Sequence, residues 1–348
     1  MSRDGVLQGV PAVEVTRGRS VESWHAIAAC ACDSDARLSL SMGDIDRPVY
    51  LRSAAKPFIA AAAIAAGVRE AFGLNSEEIA VICASHSGEP FHIAAVRSIL
   101  QKLDLDESAL QCGTHLPIDE RSAHALIRAG EQPSALHDNC SGKHAGILAL
   151  TRVLGADVAT YRDAEHPAQR AILDLCARLC DDDMTKWPLA LDGCGIPVFA
   201  TPLRKAALAF ARFAVLRGLP DPELQALNIV REAMLAHPSY VAGTGQFDTA
   251  LMAATGGAIA SKVGAEGVAG IAAITAGQGL ALKVVDGAAR ARPPATLAAL
   301  EVIDALPAAA LAELAAFARP IVYTRKGAPA GEVRARSSDF AEARMGLN

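Results

Sequence analysis

At Ser53 the chain changes character, and that switch limits the folds open to it. Before it, residues 12–17, 25–32, 37–42 and 48–51 carry β-branched residues or alternate apolar with polar, broken by Asp-Ser-Asp and Gly-Asp turns. Such runs predict strands. From Ser53 to Val68 alanines and aliphatics dominate, which predicts a buried helix. Helical patterns follow at 76–83, 90–103, 120–129, 143–154, 167–180, 203–214 and 223–236. Strand patterns return at 258–263, 267–275 and 279–285, a last helix is expected over 295–318, and from Ile321 the tail adds a final strand before turning polar. Antiparallel strands from both ends of the chain can share one sheet, with the helical middle as a second lobe. That is an α+β architecture. The chain reads as one compact catalytic unit over 1–348, with a sheet lobe from 1–52 and about 256–330 and a mainly helical lobe from 53–255. The junction between lobes is the expected place for a pocket.

Charge excludes some functions. The net charge of −5 is spread without a long block of either sign, so neither a nucleic-acid groove nor a polybasic membrane patch is expected. The most apolar stretch, 58–67, is too short to cross a bilayer. The opening MSRDGVLQGVPAVEV has no apolar run behind a basic start, so a cytoplasmic location is expected. Eight cysteines, at 30, 32, 83, 112, 140, 176, 180 and 194, then default to reduced thiols.

Ser53 and Lys56 stand three apart at the strand-to-helix switch, on one helical face. A serine hydroxyl becomes a strong nucleophile only when a base takes its proton. A lysine is that base only when uncharged, a state favoured by burial and by a second nearby cation. Pro57 is tolerated in a first helical turn, where its missing N–H would be unpaired anyway. Alone, the tetrad reads equally as a capping serine and a solvated lysine. What favours chemistry is its place at the head of an apolar helix.

Three further clusters carry polar chemistry. Ser85-His86-Ser87-Gly88-Glu89 follows an apolar run and reads as a loop entering a pocket, or more simply as a helix end. Asp138-Asn139-Cys140-Ser141-Gly142-Lys143-His144 precedes a helix whose first N–H groups can face a ligand. With Asp192-Gly193-Cys194-Gly195 it offers two thiolates, which with one further ligand can hold Zn²⁺. There is no C-x-x-C pair, so spacing alone leaves the metal open. Ser261-Lys262-Val263-Gly264 lies on an expected strand, where a lysine can point across the lobe junction or simply into solvent.

Taken together, Arg52-Ser53-Ala-Ala-Lys56-Pro57, Ala84–Glu89, Asn139–His144 and Asp192–Gly195 resemble, in order, the bacterial asparaginase II family of Rhizobium-type, metal-associated L-asparaginases. The resemblance implies a fold similar to serine β-lactamases and penicillin-binding proteins, a homodimer, and hydrolysis of L-asparagine to L-aspartate and ammonia. It implies two Ser-Lys pairs, here Ser53 with Lys56 and Ser85 with Lys262, either serine being open as the nucleophile. It also implies a zinc site of Cys140, Lys143 and Cys194, supported by His144 and Asp192, with Arg52 near the substrate and His86 and Glu89 in the surrounding shell.

Three rival readings remain at this stage. A β-lactamase or penicillin-binding-type acyltransferase shares Ser-x-x-Lys, but Ser85-His86-Ser87 stands where those enzymes carry Ser-x-Asn. A cysteine amidase would use Cys140 with His144. A non-catalytic amino-acid-binding or zinc-storage protein would use the same clusters without turnover.

Overall fold

The computed structural model describes residues 7–187 and 189–346. Its strands are β1 (Val10–Arg17), β2 (Ser20–Asp33), β3 (Leu38–Met42), β4 (Pro48–Tyr50), β5 (Ala190–Leu191), β6 (Pro197–Val198), β7 (Ala200–Pro202), β8 (Ile259–Gly264), β9 (Val268–Ala273), β10 (Gln278–Val284), β11 (Ile321–Tyr323) and β12 (Pro329–Ala335). The main sheet runs β11-β12-β1-β2-β10-β9-β8, with β3 also on β2. Its pairs are antiparallel. The long β2 explains the branch. Its first half pairs with β1, residues 29–32 pair with β3, and β10 takes the opposite edge. The two chain ends thus meet in one sheet, as expected for an α+β fold.

Both faces of the central strands are buried, which is why residues 27–32 of β2, all of β9 and 279–282 of β10 read as continuous apolar runs. On one face Ile27, Ala29, Ile271, Leu280 and Leu282 pack beneath the helices Arg292–Val302 and Ser337–Met345. On the other, Ala28, Cys30, Cys32, Ala272 and Ala281 are small, because the helix Leu203–Val215 lies tightly against them. Gly279 completes that surface: a Cβ there would collide with the backbone of Ala207 and Ala211.

In the helical middle, Lys56–Ala65 is the central element. It packs against Asp221–Ala236, Ser141–Val153 and Pro167–Cys180. All but its last residue are buried, and a helix enclosed on all sides has no polar face to show.

Several elements depart from expectation. The pattern over 295–318 is not one helix but three, Arg292–Val302, Ala308–Glu313 and Ala315–Ala318. Asp304 turns left-handed at φ 56°, and Pro307 supplies no N–H for a continuous ladder. β4 leaves the main sheet and pairs with β7 from the helical middle. The tail keeps its strand to Ala335 and ends in the helix Ser337–Met345, which buries Phe340. No helix among the described residues is long and apolar enough to cross a membrane.

Candidate active site

Ser53 sits in a strained turn. After β4 the chain passes through Arg52, whose φ of 51° is left-handed, into a 3₁₀ turn Arg52–Ala55 and then the helix Lys56–Ala65. A non-glycine residue held there costs about 1–3 kcal/mol and persists only where its surroundings fix it. Asp192 does the fixing: Arg52 Nε and Nη2 lie 2.8 and 2.6 Å from its Oδ1. β8 closes the other side. An added Cβ on Gly264 would stand 2.7 Å from Leu51 O and 3.2 Å from Ala54 N. Ser53 itself is partly exposed.

Lys56 is wholly buried, and its Nζ faces three groups: Ala84 O at 2.5 Å, Ser85 Oγ at 3.0 Å and Cys140 Sγ at 3.2 Å. Among the described residues Lys56 is hydrogen-bonded to Ser85 and not to Ser53, although Ser53 is its neighbour in sequence. Ser85 is placed by backbone bonds, its N–H donating to Val241 O at 3.1 Å and that of His86 to Asn139 O at 3.1 Å.

His86 is buried and supports this loop. Its Nδ1 accepts from Gly88 N–H at 3.2 Å. Its Nε2 therefore donates to Ser141 Oγ at 2.8 Å, and that hydroxyl passes its own proton to Leu136 O at 2.9 Å. Burial keeps His86 neutral, with a pKa well below the ordinary imidazole value. Glu89 is the residue that opens the helix Pro90–Lys102. It accepts from Ser87 Oγ, Thr244 N–H and Thr244 Oγ1, each at 2.8 Å, and so ties the 243–245 loop to the site.

Cys140, Lys143 and Cys194 lie together, all three buried. Lys143 Nζ lies 2.9 Å from Cys194 Sγ. The two cysteines are hydrogen-bonded to each other, and that bond, with Lys56 and Lys143 adding to it against burial, holds Cys140 well below the usual thiol pKa. The same bond pushes Cys194 upward. For Lys143 burial acts downward, but the two cysteines outweigh it and its pKa is raised. Gly142 belongs to this motif for a packing reason: a Cβ there would run into Val81 O on the helix Ser76–Ile82.

Among the described residues no group of three His, Cys, Asp or Glu side chains is placed to hold a metal ion. A zinc site here needs Lys143 as its third ligand. The donor set fits one, since two thiols and an amine already converge. His144 is buried outside that donor set, and its Nε2 has no hydrogen-bond partner among the described residues. Its other nitrogen meets Tyr161 OH at 2.7 Å, and that oxygen accepts from Gln111 N–H at 2.9 Å. His144 is thus bonded to Tyr161 rather than to Cys140.

Lys262, on β8, is fully buried, 2.7 Å from Val263 O and 3.6 Å from Asp248 Oδ2. Burial pulls its pKa down to about 8, Asp248 opposing and Lys56 and Arg292 assisting. It makes no hydrogen bond to either serine among the described residues. Asp248 and Tyr161 escape a reading of the motifs. The available signal for Asp248 is the one charged side chain in the mainly apolar helix Phe247–Ala254.

A pocket opens beside this cluster. Arg52, Asp192, Lys56 and Lys143 line one part, and apolar residues such as Ile59 and Phe199 line the rest. Ser53 and Ser85 are not among its walls.

The sequence model of the family described as L-asparaginase II matches residues 13–335. Among curated proteins no sequence matches. Among solved structures, a β-lactamase from Mycobacterium bovis is 16% identical, with 84% of this chain and 95% of that chain covered and a TM-score of 0.40. A putative β-lactamase from Bacteroides dorei is also 16% identical, at 86% and 95% coverage and a TM-score of 0.40.

Proposed function

The chain belongs to the L-asparaginase II family, and from that premise we propose that it hydrolyses the side-chain amide of L-asparagine to L-aspartate and ammonia. The observation that carries the mechanism is Lys56, buried and 3.0 Å from Ser85 Oγ. With Lys56 uncharged, its lone pair accepts the Ser85 proton and Oγ attacks the amide carbon. The ammonium so formed returns that proton to the departing nitrogen, ammonia leaves, and an ester joins Ser85 to the aspartyl group. Water, deprotonated in turn by Lys56, opens the ester, and the proton goes back to Ser85. A positioned base of this kind contributes about 10²–10⁴-fold. Ser53 and Lys262 are the other members of the two expected Ser-Lys pairs; we propose that Ser53 relays protons and that Lys262 supplies positive potential.

Arg52 and Asp192 present a cation and an anion at the pocket, the complement of an amino acid's α-carboxylate and α-ammonium. Cys140, Lys143 and Cys194 are the proposed holders of Zn²⁺. When bound, the ion supplies Lewis acidity or a charged anchor for the substrate's amino or carboxylate group. Binding requires Lys143 to lose a proton, so affinity should fall steeply as pH drops. A cytoplasmic homodimer completes the proposal, its size open to light scattering.

The test is ammonia release from L-asparagine and L-glutamine by wild type, Ser85→Ala and Ser53→Ala, with and without added Zn²⁺. Turnover of asparagine should fall at least about a hundredfold in Ser85→Ala. Near wild-type turnover in that variant, with loss in Ser53→Ala, would move the nucleophile to Ser53. Absence of ammonia from either amide in wild type would remove the reading.

A further inference from the structure

Of the three buried lysines of the site, Lys56 and Lys262 are provided for differently. Lys56 faces three groups, whereas Lys262 has one carbonyl and one carboxylate, that of Asp248. Both side chains of the Lys262–Asp248 pair are fully buried. Asp248 stands in the first turn of Phe247–Ala254 and is bound to β8 through both oxygens. Ser261 Oγ donates to Oδ1 at 2.6 Å, and Val263 N–H to Oδ2 at 3.0 Å. The carboxylate therefore grips the residues on either side of Lys262 as well as facing its amine.

We infer that Asp248 is a positioning residue for Lys262, fixing the direction of its amine and keeping it a cation within electrostatic range of Lys56. The catalytic consequence rests on the role proposed above for Lys262, whereas the positioning does not.

The other groups acting on Lys262 come from several elements. They are Lys56 on the central helix, Arg292 at the head of Arg292–Val302, Cys140 before Ser141–Val153, and Cys83 after Ser76–Ile82. Burial, Lys56 and Arg292 all act against the charge on Lys262, and Asp248 is the group that most favours it. Asparagine in its place would keep most of the shape and remove that support.

The experiment is an NMR titration of the Lys262 side chain in ¹³C-lysine-labelled protein, assigned with Lys262→Met, in wild type and Asp248→Asn. The kcat/KM of asparagine is followed over the same pH range. In Asp248→Asn the Lys262 midpoint should drop by at least about one pH unit, and the alkaline limb of kcat/KM should move with it. An unchanged midpoint overturns the inference. If the wild type hydrolyses no asparagine, the titration still decides, and only the function above falls. Should Asp248→Asn not fold, the double variant Asp248→Asn/Lys262→Met is expected to recover folding, since no orphaned cation remains. A double variant no more stable than the single one overturns the inference as well.

Discussion

Lys56 Nζ lies 3.2 Å from Cys140 Sγ, so the lysine that faces Ser85 also faces one sulfur of the thiol cluster. Cys194 has no such contact and bonds Lys143 instead. The two cysteines are therefore unequal. Cys140→Ser should cost roughly tenfold more turnover than Cys194→Ser, because it also alters a charge-assisted contact of Lys56. Measuring kcat and bound zinc side by side checks this. Equal losses of kcat would mean that the thiols act only as a pair.

Arg52 reaches Asp192 through two nitrogens and holds a left-handed backbone. Lysine offers one point charge in place of that planar group. Arg52→Lys is expected to raise KM for asparagine about tenfold with little change in kcat. A fall in kcat at constant KM would place Arg52 in the chemistry instead of in substrate binding.

His92 gives a pH dependence. It is buried, its Nδ1 accepts from Glu89 N–H at 3.2 Å and its Nε2 meets Ser239 O at 2.9 Å. Burial lowers its pKa to about 4. Between about 6.5 and 4 the unfolded chain binds a proton that the folded one does not. Stability is therefore lost as pH falls through that window, by about 3 kcal/mol from this residue, and no further below it. His92→Gln should flatten this part of a urea-unfolding series between pH 7 and 4. An unchanged slope would show that His92 is protonated in the folded state.

What could be read from sequence was whatever is local. Arg52–Lys56, 85–89, 138–144 and 192–195 each carry their chemistry within a few residues, and the strand patterns at both ends announce the shared sheet. What could not be read is who meets whom. Nothing in Ser53-Ala-Ala-Lys56 says that the lysine will bond a serine 29 positions on. Asp248 carries no motif because its partners lie not on its own helix but on β8. Pairing β4 with β7 takes three residues on each strand, too few for any period-two pattern to show.

The glycines beneath Leu203–Val215 allow a graded test of that helix's seat. Gly270 faces the ring of Phe210, and Gly279 faces the backbone at Ala207 and Ala211. A ring can swing aside at the cost of a poorer rotamer, whereas a helix backbone can move only by lifting the whole element from the sheet. Overpacking a tight core typically costs 1–3 kcal/mol. Gly270→Ala should fall within about that range, and Gly279→Ala should exceed it. Both glycines lie on the sheet rather than among the catalytic side chains, so surviving Gly270→Ala protein should keep its kcat while melting earlier. Thermal melts of the two variants decide the order. Equal loss, or a milder Gly279→Ala, would mean that Leu203–Val215 does not sit as close to β10 as the collision implies.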